Sequence, residues 1–290
     1  MKAAIALSLL AVLAAQAHPI QGSHEESSGI CKFDRASTLK PRSTVENLPV
    51  SKRADSNATT WSPPSSLSSA LDSVWDYEMS TYGGDSLTFK NYAYDHIMDT
   101  KANIQYCVRW DSKNSVTAAQ RTSIETALSK MYNKWVSAAL AGFDGFPYES
   151  VNVTVSGWAT NDTSLLEGDT SAHTIHTSTV DVDGIPECDP ACGRAAHYAD
   201  GDYSGCAGGY GGDWGQQVGA GYMLDNLEAD NIHILLHEMG HTLALDDFYD
   251  WAPDGVDSFI MLAGSAMEIT EFDAWMARDW WRHIKSRYDL

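Results

Sequence analysis

The 290-residue chain is short of basic side chains: 19 Lys and Arg stand against 39 Asp and Glu. A surface this acidic repels nucleic-acid phosphates and anionic membranes, so neither is expected as a partner. Long apolar runs are also missing. The one candidate, Ala3 to Ala15, is shorter than the roughly 20 residues a membrane-spanning helix needs. No internal repeat is present, which argues against a stacked-repeat architecture. Cysteine is scarce, with five in all: Cys31, Cys107, Cys188, Cys192 and Cys206.

The chain begins "MKAAIALSLLAVLAAQA". Lys2 before an apolar run, then Ala15-Gln16-Ala17 with its small-x-small form, predicts a signal peptide over 1–17. Residues 18–53 are polar, rich in Ser, and end in "VSKR". The dibasic pair Lys52-Arg53 predicts that 18–53 is a propeptide and 54–290 a single domain. With 1–53 removed, 12 basic and 35 acidic residues remain, a formal net charge of −23. Cys31 also leaves, and the four remaining cysteines suit two disulfides in an oxidising compartment. Three pairings stay open. Cys188, Cys192 and Cys206 with His197 form the alternative, a zinc knuckle. Sequons at Asn57, Asn152 and Asn161 fit a secreted, extracellular glycoprotein.

Residues 54 to about 68 read as a flexible lead-in. "ANIQYCVRW" (102–110) and "SVNVTVSGW" (150–158) alternate apolar and polar side chains and predict strands. "HTIHTSTVDV" (173–182) is a weaker third. Between the first two, Ile124, Leu128, Met131, Trp135 and Ala138 recur at helical spacing up to Gly142. The stretch 205–221, "GCAGGYGGDWGQQVGAG", is too rich in glycine for a helix and reads as a loop, lining a cleft or mere filler. Helices are predicted over 228–244 and about 270–287. This order gives an α+β fold: a twisted sheet with a long helix, then mostly helix and loop.

Within the 228–244 helix lie His237, Glu238 and His241 in the order H-E-x-x-H. Positions i and i+4 share one helix face, so both imidazoles can reach one ion. Catalytic zinc takes three protein ligands and keeps one open position. The pattern therefore predicts Zn2+ on His237 and His241, with Glu238 as general base toward a water that the zinc activates.

The continuation "HEMGHTLALDDFYD" resembles the zinc motif of metzincin proteases, H-E-x-x-H-x-x-G-x-x-H, with Asp in the third ligand place. It is most similar to the snapalysin-like members, whose motif ends in Asp. The resemblance implies that Asp247 is the third zinc ligand, and Asp246 stands one position early. It also implies a Met-containing turn and a C-terminal helix below the cleft, with Met261 of "DSFIMLAG" as the apolar floor and Met267 the weaker candidate. The implied activity is a monomeric zinc metalloendopeptidase acting on protein or peptide substrates, which lie along an edge strand within 195–225. This chain departs from the pattern at Ala244, where the family has Gly. That Gly takes a left-handed conformation which turns the third ligand back toward the metal, and Ala reaches it only at a cost of about 1 kcal/mol or more.

His233, one turn before His237, reads as a satisfied histidine. His173, His176 and His197 are candidates for a second metal or a transition-state donor, with ordinary structural roles favoured. Cys31 in the propeptide is a candidate latency thiol, able to fill the open zinc position. Two rivals remain. A secreted binding protein would use some of the ten Trp residues, Trp214 among them, to stack on sugars or a partner. A different zincin class would take its Asp ligand from another turn.

Overall fold

A computed structural model describes residues 58–83, 85–188, 194–199, 209–212, 215–248 and 251–290. The segments expected as signal peptide and propeptide, with Cys31 and Lys52-Arg53, lie outside the described residues, as do Asn57, Cys192, Cys206 and Trp214. Helices α1 (Ser65–Tyr82) and α2 (Ala93–Asp99) precede strand β1 (Asn103–Asp111). Helix α3 (Ala118–Trp135) and β2 (Asn152–Thr160) follow, then β3 (Thr174–His176), β4 (Arg194–Ala199), β5 (Gly209–Gly212) and β6 (Gly215–Gly219). Helices α4 (Ala220–Asp225), α5 (His233–Thr242) and α6 (Glu271–Ile284) complete an α+β fold. Among the described residues, no helix is long and apolar enough to cross a membrane.

The strands form one six-stranded sheet in the order β3-β2-β1-β4-β6-β5. All neighbours are parallel except β5 and β6, which run antiparallel. Strand β1 is central. Its Ile104, Tyr106, Val108 and Trp110 are buried, and Trp110 packs against Trp158 of β2 and Tyr198 of β4. Tyr106 Oη donates to Gln216 Oε1 at 2.8 Å, joining β1 to β6 across the intervening strand.

Several elements differ from the sequence-based expectation. The lead-in is not free up to residue 68: Trp61 packs edge-on against Trp275 and beneath Arg282, and α1 starts at Ser65. Of the weak third strand only Thr174–His176 joins the sheet, with Val180 in an isolated bridge to Pro186, and β4 went unpredicted. The glycine-rich loop holds β5, β6 and the start of α4. Glycine weakens a strand by its entropy, but pairing with β4 supplies the ladder that outweighs it here.

The helix expected over 228–244 begins only at His233. The residues before it are bound to α3 instead. Lys130 Nζ reaches the Ala229 carbonyl at 3.1 Å, and Lys134 Nζ reaches Asn231 Oδ1 at 2.6 Å. The final helix stops at Ile284 and tightens into a 3-10 turn, Lys285–Tyr288.

Helix α6 is buried nearly all round, as a helix passing through a core must be. Its Arg278 is buried because α3 ends in a π-helical turn, Val136–Leu140. The guanidinium donates to the Ala139 carbonyl at 2.9 Å and the Ala138 carbonyl at 3.1 Å. A disulfide joins Cys107 of β1 to Cys188, 81 residues on, and Arg109 pairs with Asp181 beside it. Closing so long a loop stabilises by about 2–4 kcal/mol. This pairing removes Cys188 from the zinc-knuckle alternative.

Candidate metal centre

Helix α5 forms because its apolar residues and α3 hold it. Leu235, Leu236 and Met239 are buried, and Trp135 Nε1 of α3 donates to the Leu236 carbonyl at 2.8 Å. At its N-terminus no side chain takes the usual cap position. The Tyr222 ring packs edge-on against His233 there. Its hydroxyl lies 2.8 Å from His233 Nδ1, which gives His233 the satisfied role expected of it.

His237 and His241 stand one turn apart with their rings edge to face. Both Nδ1 atoms are engaged by backbone carbonyls: His237 Nδ1 with Ile260 at 2.7 Å, and His241 Nδ1 with Leu245 at 2.8 Å. A carbonyl only accepts, so each Nδ1 carries the hydrogen. The Nε2 side of each ring is thereby turned toward the site, the arrangement in which outer partners fix a metal-binding imidazole.

The path from this helix to the acids turns on Ala244. It adopts the left-handed conformation, φ 66°. Its N–H bonds the His241 carbonyl at 3.0 Å, and the Leu245 N–H bonds the Gly240 carbonyl at 3.3 Å. That pair of bonds is a Schellman cap, so Ala makes the turn for which Gly is preferred. An L-residue is strained there. Ala244→Gly should therefore raise unfolding stability by about 1 kcal/mol, read as a rise in the denaturant midpoint at unchanged m-value.

Beyond the turn the two neighbouring acids point to different places. Asp247 Oδ1 lies 3.0 Å from His237 Nε2, and its Oδ2 lies 3.5 Å from His241 Nε2. Asp246 faces α1 instead. Its Oδ1 accepts the Tyr82 hydroxyl at 2.6 Å and the Asp247 N–H at 2.8 Å. Glu238 is only 5% exposed, and its Oε2 is 3.8 Å from His241 Nε2. Ligand-capable atoms of His237, Glu238 and His241 all lie within 4.8 Å of one another. Among the described residues, no second cluster of this kind gathers.

Two carboxylates thus face the histidine pair, and their environments differ. Burial pushes Glu238 up to about 7, although His241 and His237 oppose the rise. Burial also raises Asp247, but hydrogen bonds from His237 and His241 outweigh it and hold the carboxyl well below its usual range. His241 is lowered by burial, yet its bond to Asp247 and the nearby carboxylates carry it up to about 9. Asp247 is therefore the permanent anion, while Glu238 can take or release a proton near neutral pH. Two imidazole nitrogens and one fixed carboxylate are a donor set that suits zinc.

Beneath the helix lies Met261, fully buried, while Met267 is 57% exposed. A Cβ on Gly240 would collide with Met261 Sδ and stand 3.0 Å from the Trp135 ring. Glycine at 240 is thus required by the close approach of the 259–262 turn and α3. Asp273 of α6 holds that turn. Its Oδ2 accepts the N–H of Ile260 at 2.9 Å, and its Oδ1 that of Met261 at 3.2 Å. The Ile260 carbonyl, bonded to His237, is set by the same contacts.

Sequence reading missed Asp273, Tyr82 and the Ile260 carbonyl. Asp273 had a signal, since Thr270 and Asp273 form a capping box at the start of α6. Tyr82 had none, being 164 residues from Asp246. His173 packs edge-on against Trp158, and it and His176 lie away from the cluster. The side chain of His197 lies outside the described residues. No protein-family model matches this chain, and no curated protein is similar to it.

Proposed function

We propose that the chain is a zinc-dependent endopeptidase of the metzincin type, exported with a signal peptide (1–17) and a propeptide (18–53). The observation that carries this reading is Asp247 spanning the two Nε2 atoms of an H-E-x-x-H helix. His237, His241 and Asp247 would hold the metal. When bound, zinc would supply Lewis acidity toward a peptide carbonyl and lower the pKa of a water there. Glu238 is the general base. Its raised carboxyl takes the proton of the attacking water and returns it to the leaving amine. Met261, packed against Gly240 of α5, forms the apolar floor of the site.

Strand β5 supports a peptide substrate. It is the outer, antiparallel strand of the sheet and packs against α5. An extended peptide can add to such an edge by backbone hydrogen bonds. The disulfide between Cys107 and Cys188 suits an exported, extracellular chain. The binding-protein rival rests on Trp214, which lies outside the described residues; the nine described Trp residues are buried or half-buried.

The purified chain should carry one zinc and cleave an unfolded protein substrate such as casein. Chelation should abolish cleavage, and added zinc should restore it. A chain with neither zinc nor peptidase activity would favour the binding protein.

A further inference from the structure

The segment 245–248 that delivers Asp247 has no regular secondary structure of its own, so its shape must be imposed from outside. Helix α1 imposes it. Tyr82, in the last turn of α1, donates its hydroxyl to Asp246 Oδ1 at 2.6 Å. The same oxygen accepts the backbone N–H of Asp247 at 2.8 Å. One carboxylate oxygen thus ties the backbone of Asp247 to a helix 164 residues away. Two further contacts hold this end of α1. Glu78, one turn before Tyr82 and 1% exposed, accepts the Trp280 indole of α6 at 2.7 Å. Tyr77 stacks on Trp251, with centroids 4.7 Å apart and planes 12° from parallel.

We propose that Tyr82 is a positioning residue for the metal centre: its hydroxyl, acting through Asp246, sets the backbone of Asp247 and so aims that carboxylate at the two imidazoles. This inference rests on the reading of His237, His241 and Asp247 as zinc ligands. Outer partners of metal ligands carry a large share of affinity, and removing one weakens binding roughly 10–100-fold. Tyr82 is 51% exposed, so deleting its hydroxyl leaves the core intact.

The test is zinc affinity by competition with a chromophoric chelator, on the whole chain. Tyr82→Phe should raise the zinc Kd about 10-fold, with KM for peptide unchanged and kcat recovering at saturating zinc. Asp246→Ala should show a similar loss, and adding Tyr82→Phe to it should cost nothing more. Asp246→Asn keeps the accepting oxygen and should restore most of the affinity. Equal Kd values for wild type and Tyr82→Phe would overturn the proposal, even with a lower melting temperature, since that combination marks a merely structural bond. A wild-type chain that binds no zinc would instead overturn the metal-site reading itself.

Discussion

Glu238→Gln should keep its zinc and lose peptide hydrolysis by roughly 10²–10⁴-fold in kcat, the range a positioned general base contributes. Gln preserves the size of the side chain and its place on α5, but it cannot accept a proton from water. Two readings of Glu238 separate here. Its oxygen lies within ligand reach of both histidines, so it is sterically able to be the third ligand. Three observations favour the base. Asp247 lies closer to both Nε2 atoms than Glu238 lies to His241. Burial lifts Glu238 to about 7, where a group exchanges protons readily. The histidines hold Asp247 ionised throughout the neutral range. Metal analysis beside a peptidase assay reads the outcome. Zinc lost together with activity in Glu238→Gln would make Glu238 a ligand and return Asp247 to an outer role.

Asp247→Asn should have the larger effect on the metal itself. An outer-partner loss weakens binding by up to roughly 100-fold, and removing a charged ligand should exceed that. The variant should therefore lose zinc to a chelator that wild type resists, and hydrolysis should disappear with it. Asp246→Asn is the control, because it keeps a bond acceptor for Tyr82 and for the Asp247 N–H. It should stay close to wild type in both measurements. If Asp246→Asn releases zinc while Asp247→Asn retains it, the neighbouring acid is the ligand and the turn at Ala244 opens differently when metal binds. The two variants differ by one residue and carry the same chemical change, so composition and charge cannot account for a difference between them.

Much of the scaffold was legible beforehand. Alternating side chains marked β1 and β2, and helical spacing marked α3, because a period near 2 or 3.6 follows from backbone geometry alone. The strands of the glycine-rich segment were not legible. Local composition there favours a loop, and the stabilising term is pairing with β4, which lies outside the segment. Helix α5 started late because the residues before it are held by Lys130 and Lys134. Asp273 was readable as a helix cap, but its second task, holding the Ile260 and Met261 N–H groups, was not.

By itself the sequence determined that His237, Glu238 and His241 share one helix, since spacings of one and four residues fix their directions on any α-helix. It narrowed the third carboxylate to two neighbours. Which of the two faces the imidazoles belonged to the tertiary structure. It depends on one backbone torsion at Ala244, where the local preference is worth only about 1 kcal/mol, and on a hydroxyl brought in by a remote helix. Local energies that small cannot decide a direction by themselves. Packing of α1 against the segment after α5 decides it, and no pattern within the motif records that contact.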